Sequence, residues 1–251
     1  MNNFMYAFII STLAGLSTLL GCIFIFVKSK NVNKFLSISL SFSAMVMMMI
    51  SIFDLIPNSF FSLLNRYKFI GFIISLISFL CGIFLINISN KIIDRLESKG
   101  SSLYKLGIIS AIVLMLHNIP EGIITFLTSG NDLRLGIKIA LAITLHNIPE
   151  GICIAVPLYY STKSYKKAIK MTLISGLSEP FGAIISYLFL AKYITTSMLD
   201  IIFIVVAGIM VSLAINEILK ESIKYSNKNN KYIYVGFAIG IIFFLISMIF
   251  I

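Results

Sequence analysis

The chain has 251 residues, of which 59% are apolar and 12% charged, with a net charge of +10. A water-soluble globule carries roughly 25% charged residues, so the composition excludes a soluble enzyme, a nucleic-acid-binding module and a disordered tail, and leaves an integral membrane protein. The excess of base does not point to nucleic acid, because all 20 Lys and Arg lie between apolar runs or at their edges, as membrane topology demands.

A spanning helix needs about 20 apolar residues, and the chain reads as eight such spans. The first, 4–27, is free of charge. It lacks a basic leader, is too long for a signal peptide and is followed by Lys28 and Lys30, so it is expected to stay in the mature protein. The second, 35–57, runs into Asp54 and Pro57, which places Asp54 near its end. Its Met45 and Met47, Met48 and Met49 read as adaptable apolar packing rather than soft metal ligands. The third, 69–90, has no charge, and the polar stretch 89–105 after it reads as a mobile linker, with Ser and Gly near 98–102.

The fourth span, 103–127, and the fifth, 133–159, each carry one acid, Glu121 and Glu150. The sixth, 168–190, carries Glu179 and the seventh, 199–219, carries Glu217 beside Asn216. The eighth, 232–251, is uncharged and holds Gly236 and Gly240 in a GxxxG, which fits helix packing or a homodimer contact. Cys22, Cys81 and Cys153 lie singly inside apolar runs and read as small apolar residues, not a disulfide framework.

Orientation follows from the loops. Fifteen of the 20 basic residues fall in the loops after odd-numbered spans and five in the loops after even-numbered ones. The basic side stays cytoplasmic, so both termini are expected outside. Every loop is short, which leaves a single transmembrane domain over 1–251.

Five of the ten acids lie in or at the edges of spans: Asp54, Glu121, Glu150, Glu179 and Glu217. An ionised residue at mid-bilayer is expensive, and no Lys or Arg lies deep in a span to offset these, so each carboxylate needs a proton or a cation. The only two histidines each open the same hexapeptide, His117-Asn118-Ile119-Pro120-Glu121-Gly122 and His146-Asn147-Ile148-Pro149-Glu150-Gly151. His at i and Glu at i+4 share a helix face, and Asn at i+1 neighbours the same Glu. One Glu can thus reach a metal held by His and another held by Asn. Each Pro removes an N–H and is expected to distort the preceding turn, giving an inverted pair of broken helices with polar groups at the midplane, the layout of a secondary transporter. Imidazole with carboxylate and amide oxygens suits divalent first-row metals, zinc above all.

At these residues the chain resembles the ZIP (Zrt/Irt-like) family of metal-ion transporters, in its bacterial ZupT-like branch. The resemblance is carried by the paired HNIPEG motifs, by Ser175-Gly176-Leu177-Ser178-Glu179-Pro180-Phe181-Gly182, and by Ala207-Gly208-Ile209-Met210-Val211-Ser212-Leu213 leading to Asn216-Glu217. It implies an all-α bundle of eight transmembrane helices in which spans 1–3 and 6–8 are inverted repeats flanking the 4–5 pair, with both termini outside. It also implies a dimetal site: His117, Glu121, His146 and Glu150 at one position, and Asn118, Asn147 and Glu179 at the other, with Glu121 and Glu150 bridging. Many members carry a His-rich loop between spans 3 and 4, whereas 89–105 holds no His.

The expected function is uptake of divalent metal ions, zinc first and iron, manganese, cobalt and cadmium after it, across a bacterial inner membrane. Asp54 is read as an entrance residue, and Asn216 and Glu217 as exit residues. Up to two metal ions are cargo, and no other cofactor is expected. The expected partners are the metal ions, membrane lipid and a second copy of the chain, with no nucleic acid and, in the absence of a Walker motif, no nucleotide. The competing readings are an intramembrane metal-dependent enzyme, opposed by the absence of HExxH and of Glu-x-x-His pairs, and a structural membrane protein with protonated acids, which leaves the duplicated motif unexplained.

Overall fold

The computed structural model describes residues 2–96, 100–190 and 193–249. Lys99 and Lys192, counted in the charge asymmetry, and Ile251, the expected end of the last span, lie outside the described residues, as does Met1.

Among the described residues every regular element is helical. Seven helices are long and apolar enough to cross a membrane: α1 (Phe4–Phe26), α2 (Val32–Tyr67), α3 (Phe69–Ile93), α4 (Ser102–Asn131), α5 (Leu133–Thr162), α6 (Tyr165–Phe189) and α7 (Thr196–Tyr225). An eighth apolar helix, α8 (Lys231–Ser247), is shorter at 17 residues.

Three local expectations are corrected. Asp54 is not at the end of α2. It sits in a wider π turn, Ser51–Leu55, and the helix resumes over Ile56–Tyr67 with Pro57 in its first turn, where a missing N–H costs little. The supposed linker 89–105 is mostly helical: α-helix continues to Leu96 and restarts at Ser102, with Ser101 accepting from the Tyr104 N–H as a cap. The motif helices are also continuous rather than broken, since α-helix runs unbroken past Pro120 in α4 and past Pro149 and Pro157 in α5. A proline removes one hydrogen bond, and neighbours packed on both flanks hold the remaining turns in place.

Asp132 ends α4 and caps α5 at once, its carboxylate accepting from the N–H groups of Arg134 and Leu135. A one-residue link forces the two motif helices to turn back on each other. They pack side by side, with α1 and α6 clasping the pair. On the outside, α3 packs on α7 and α8 on α2, while α2 also lies against α5.

Small residues set these approaches, since lipid supplies no hydrophobic drive between helices and close packing must do so. A Cβ on Gly82 would strike the Val205 carbonyl, and one on Gly208 would strike that of Phe79. Gly236 lies against Ser41 and Ile38, and Gly240 against Met45 and Phe42, so the GxxxG of α8 is used within the chain. The C-terminal half of α1, Ser17–Phe26, tightens to 3₁₀ geometry where it packs on α5, and Gly21 there meets the backbone of Gly151.

Candidate metal centre

The two hexapeptides meet in the middle of the α4–α5 pair, where His117, Asn118, Glu121, His146, Asn147 and Glu150 are all buried. Their placement follows from the motif. Spacing of four puts His and Glu on one helix face, and Asn, one residue after His, is rotated about 100° from it toward the flanking helices. The glycine behind each Glu lets a flanking helix close: a Cβ on Gly122 would overlap the Glu179 carbonyl of α6, and one on Gly151 the Thr18 carbonyl of α1.

His117 is the hub. Its Nε2 lies 3.2 Å from Glu121 Oε1 on its own helix and 3.1 Å from Glu150 Oε1 on α5. Neither contact counts as a hydrogen bond, so Nε2 has only these two carboxylates beside it and Nδ1 has no hydrogen-bond partner. The two asparagines are anchored by their amide nitrogens: Asn118 Nδ2 donates to the Ser175 carbonyl at 3.2 Å, and Asn147 Nδ2 to the Ala14 carbonyl at 2.9 Å and to Glu179 Oε1 at 2.5 Å. That fixes which end of each amide faces inward, because both Oδ1 atoms are buried without a donor. Buried and equally unpartnered are His146 Nε2, Glu121 Oε2, Glu179 Oε2 and both carboxylate oxygens of Glu150.

An unsatisfied buried polar atom costs roughly 1–3 kcal/mol, and native interiors hold few of them. Here they are concentrated on the residues of the two motifs and Glu179, and nearly all are acceptors. A cation satisfies several such acceptors at once, whereas a hydrogen bond satisfies them one at a time. The side chains are not preset in the spacing of a formed site: among the described residues, no group of three His, Cys, Asp or Glu is arranged to hold an ion as it stands. The set consists of pairs that rotamer changes would have to draw together.

A cavity of about 350 Å³ leads to this cluster and is lined by Asp54, Asn58, Glu121, Lys138, His146 and Asp200. Asp54 accepts from Asn58 Nδ2 at 2.8 Å and Asp200 from the Ser62 hydroxyl at 2.6 Å. Asp54 therefore lies on the same opening as Glu121 and His146. Asp200, Asn58 and Lys138 are lining residues that the sequence reading did not single out. Asn58 stands four residues after Asp54, a spacing that could have been noticed.

At the opposite end, Asn216 and Glu217 line a separate cavity of about 360 Å³ with Asn90, Lys105, Lys220 and Glu221. Glu217 sits in another π turn, Ala214–Ile218, and accepts from Asn90 Nδ2 at 2.7 Å. Asn216 donates to the Ser212 hydroxyl at 3.1 Å, and Lys224 pairs with Glu221 at 3.5 Å. None of the buried motif residues lines this cavity. Met47 is fully buried with its sulfur 3.9 Å from that of Cys153, one turn past Glu150.

Residues 94–248 match a family model described as ZIP Zinc transporter. A curated protein named zinc transporter ZupT from Streptococcus mutans is 38% identical over 97% of this chain and 96% of its own length. Another of that name from Oceanobacillus iheyensis is 38% identical over 90% of this chain and 91% of its own, and a third from Clostridium perfringens is 35% identical over 99% and 97%.

Proposed function

The chain belongs to the ZIP family of zinc transporters, and from that premise we propose that it carries divalent metal ions, zinc first, across the bacterial inner membrane into the cytoplasm. Family membership makes it a membrane transporter rather than the intramembrane metalloenzyme that its ligand chemistry alone would allow.

The proposed path starts in the outer cavity, where Asp54 and Asp200 draw a hydrated dication inward. Fixed carboxylates in a low-dielectric funnel raise the local concentration of a cation. The ion then exchanges water for imidazole and carboxylate at His117, Glu121, His146 and Glu150. A second ion, or the same ion at its next step, is held by Asn118, Asn147 and Glu179, with Glu121 and Glu150 shared. Asn216 and Glu217 receive it on the cytoplasmic side. A conducting site must bind well enough to admit the ion and weakly enough to release it, and shared carboxylates serve that end because two neighbouring dications repel.

The proposed topology has eight spans with both termini outside. At 1.5 Å per residue, α8 is about 26 Å long, near the short limit for a span, and the basic excess of the odd loops supports the orientation. An inverted 3+2+3 repeat is supported by the packing, since α3 on α7 and α8 on α2 are exchanged when spans 1–3 are swapped for 6–8.

The observation that carries the metal assignment is the concentration of buried, unpartnered acceptors on the two HNIPEG segments. The test is zinc flux into liposomes containing only the purified protein. Flux well above protein-free vesicles, inhibited by cadmium and cobalt but not by magnesium, is the expected result. Flux equal to that of empty vesicles overturns the proposal.

A further inference from the structure

On the face where α2 and α8 begin, a groove of about 410 Å³ opens between α1, α2 and α8. Its mouth holds Ser29, Lys30, Asn31 and Lys34, and its depth is formed by Phe24, Phe35, Ile38, Phe42 and Ile239. A second groove of about 420 Å³ shares Lys34 and Ile38 with it and adds Asn229, Lys231, Tyr232 and Val235. The two form one surface feature, basic at the rim and apolar below. Along α2 the apolar part runs from Lys34 to Phe42, eight residues or about 12 Å.

Charge is one-sided. No acidic side chain lines either groove. Lys30, Lys34 and Lys231 make no ion pair with any described acid, and Lys34 is held over the Tyr232 ring at 5.7 Å from its centroid. Metal cargo is excluded by three ammonium groups, and a soluble anion would leave the apolar depth unused. The lining residue Ile239 is 46% exposed, so it meets whatever surrounds the helix bundle. A ligand that satisfies both parts has a negative headgroup and an acyl chain.

We propose that this groove is a binding site for an anionic phospholipid of the basic-side leaflet, its phosphate among Lys30, Lys34 and Lys231 and one acyl chain along Ile38, Phe42 and Ile239. Basic pockets between helices on the cytoplasmic side suit such headgroups. Which leaflet this is rests on the orientation proposed above, whereas the site itself rests on neither orientation nor transport.

The chain contains no Trp, so one introduced indole reports a single place. The probe is Ile239→Trp in vesicles of brominated phosphatidylcholine mixed with unbrominated phosphatidylglycerol. Phosphatidylglycerol that occupies the groove excludes brominated lipid and protects the indole from quenching. The expected result is a preference for phosphatidylglycerol on the order of fivefold or more, the level one surface lysine supplies. It should fall to no preference in Lys30→Gln/Lys34→Gln/Lys231→Gln. If the triple variant does not insert, Lys34→Gln alone, common to both grooves, should lower the preference measurably. Phe84→Trp, on the exposed face of α3, should show none, and inorganic phosphate should not alter the Ile239→Trp signal. Equal preference at both indoles, a preference unchanged by the lysine substitutions, or displacement by phosphate would each overturn the site. So would an indole that no brominated lipid quenches, which would mean that a second copy of the chain covers the groove.

Discussion

Thr18 of α1 and Glu179 of α6 occupy matching positions on either side of the α4–α5 pair. The Thr18 carbonyl lies against Gly151 and the Glu179 carbonyl against Gly122. Four residues before each, the carbonyls of Ala14 and Ser175 accept the amides of Asn147 and Asn118. The hydroxyls of Ser17 and Ser178 fold back on those same carbonyls. Gly15 and Gly176 touch between them, each carbonyl standing where the other's Cβ would be. The two flanks thus share a local design, Gly-Leu-Ser followed by a variable residue, and differ where one offers a hydroxyl and the other a carboxylate.

That difference makes the proposed second metal position one-sided. Glu179→Thr would make the flanks alike and should remove the second ion while sparing the first. Equilibrium zinc titration in detergent should fall from two ions to one, with the affinity of the remaining ion changed by less than about tenfold, or 1.4 kcal/mol. Loss of all binding, or of none, contradicts the unequal pair.

His117 stands between two carboxylates, at 3.2 Å from Glu121 and 3.1 Å from Glu150. His117→Ala removes a proposed ligand and leaves the two acids facing each other. Since loss of a mere supporting partner already lowers metal affinity about 10–100-fold, zinc uptake should drop by at least about tenfold, with membrane insertion unchanged. The variant's flux in vesicles is the check, and wild-type flux in His117→Ala/His146→Ala would remove both histidines from the site.

Helix approach at the motif glycines has no slack. Gly122→Ala must push α6 from α4, and Gly151→Ala must push α1 from α5, each at about 1–3 kcal/mol for an overpacked contact. Both should melt at lower temperature in detergent. Gly130→Ala meets nothing within 4 Å and should be neutral or slightly stabilising, as Ala is the better helix former. Equal melting of all three variants would mean that the motif glycines do not set the helix spacing.

The cavity lined by Asp54, Asp200 and Lys138 carries charges of both signs, and they should act in opposite directions. Asp54→Asn or Asp200→Asn should raise KM for zinc about threefold to tenfold with little change in the saturated rate, because each loses attraction at the mouth. Lys138→Gln should lower KM. All three effects should shrink as ionic strength rises and the charges are screened. A KM that ignores Lys138 at low salt would detach this cavity from the path.

Much of this was legible in the chain because its signals are local. A helix in lipid must satisfy its own backbone and present apolar side chains, so each span could be found one at a time, and His117 and Glu121 share a face by helical period alone. Helix ends were harder. Asp54 and Pro57 looked like a terminus, but a π turn absorbs the irregularity and α2 continues to Tyr67. The stretch after α3 looked like a linker, yet helix occupies it to Leu96. Polarity marks where a helix leaves the membrane, not where its hydrogen bonds stop.

By itself, then, the sequence determined that the chain is a helical membrane protein, which residues are its candidate metal ligands, and which helix each one rides. Only the tertiary structure decided that Glu179 reaches Asn147 while its counterpart is Thr18, that Asp200 and Lys138 share an opening with Asp54, and that Gly236 and Gly240 are spent on α2. The reason is physical. Hydropathy records how each helix meets lipid, whereas these relations depend on which backbones can approach, and that is settled by the register of small residues on separate helices, which no single span contains.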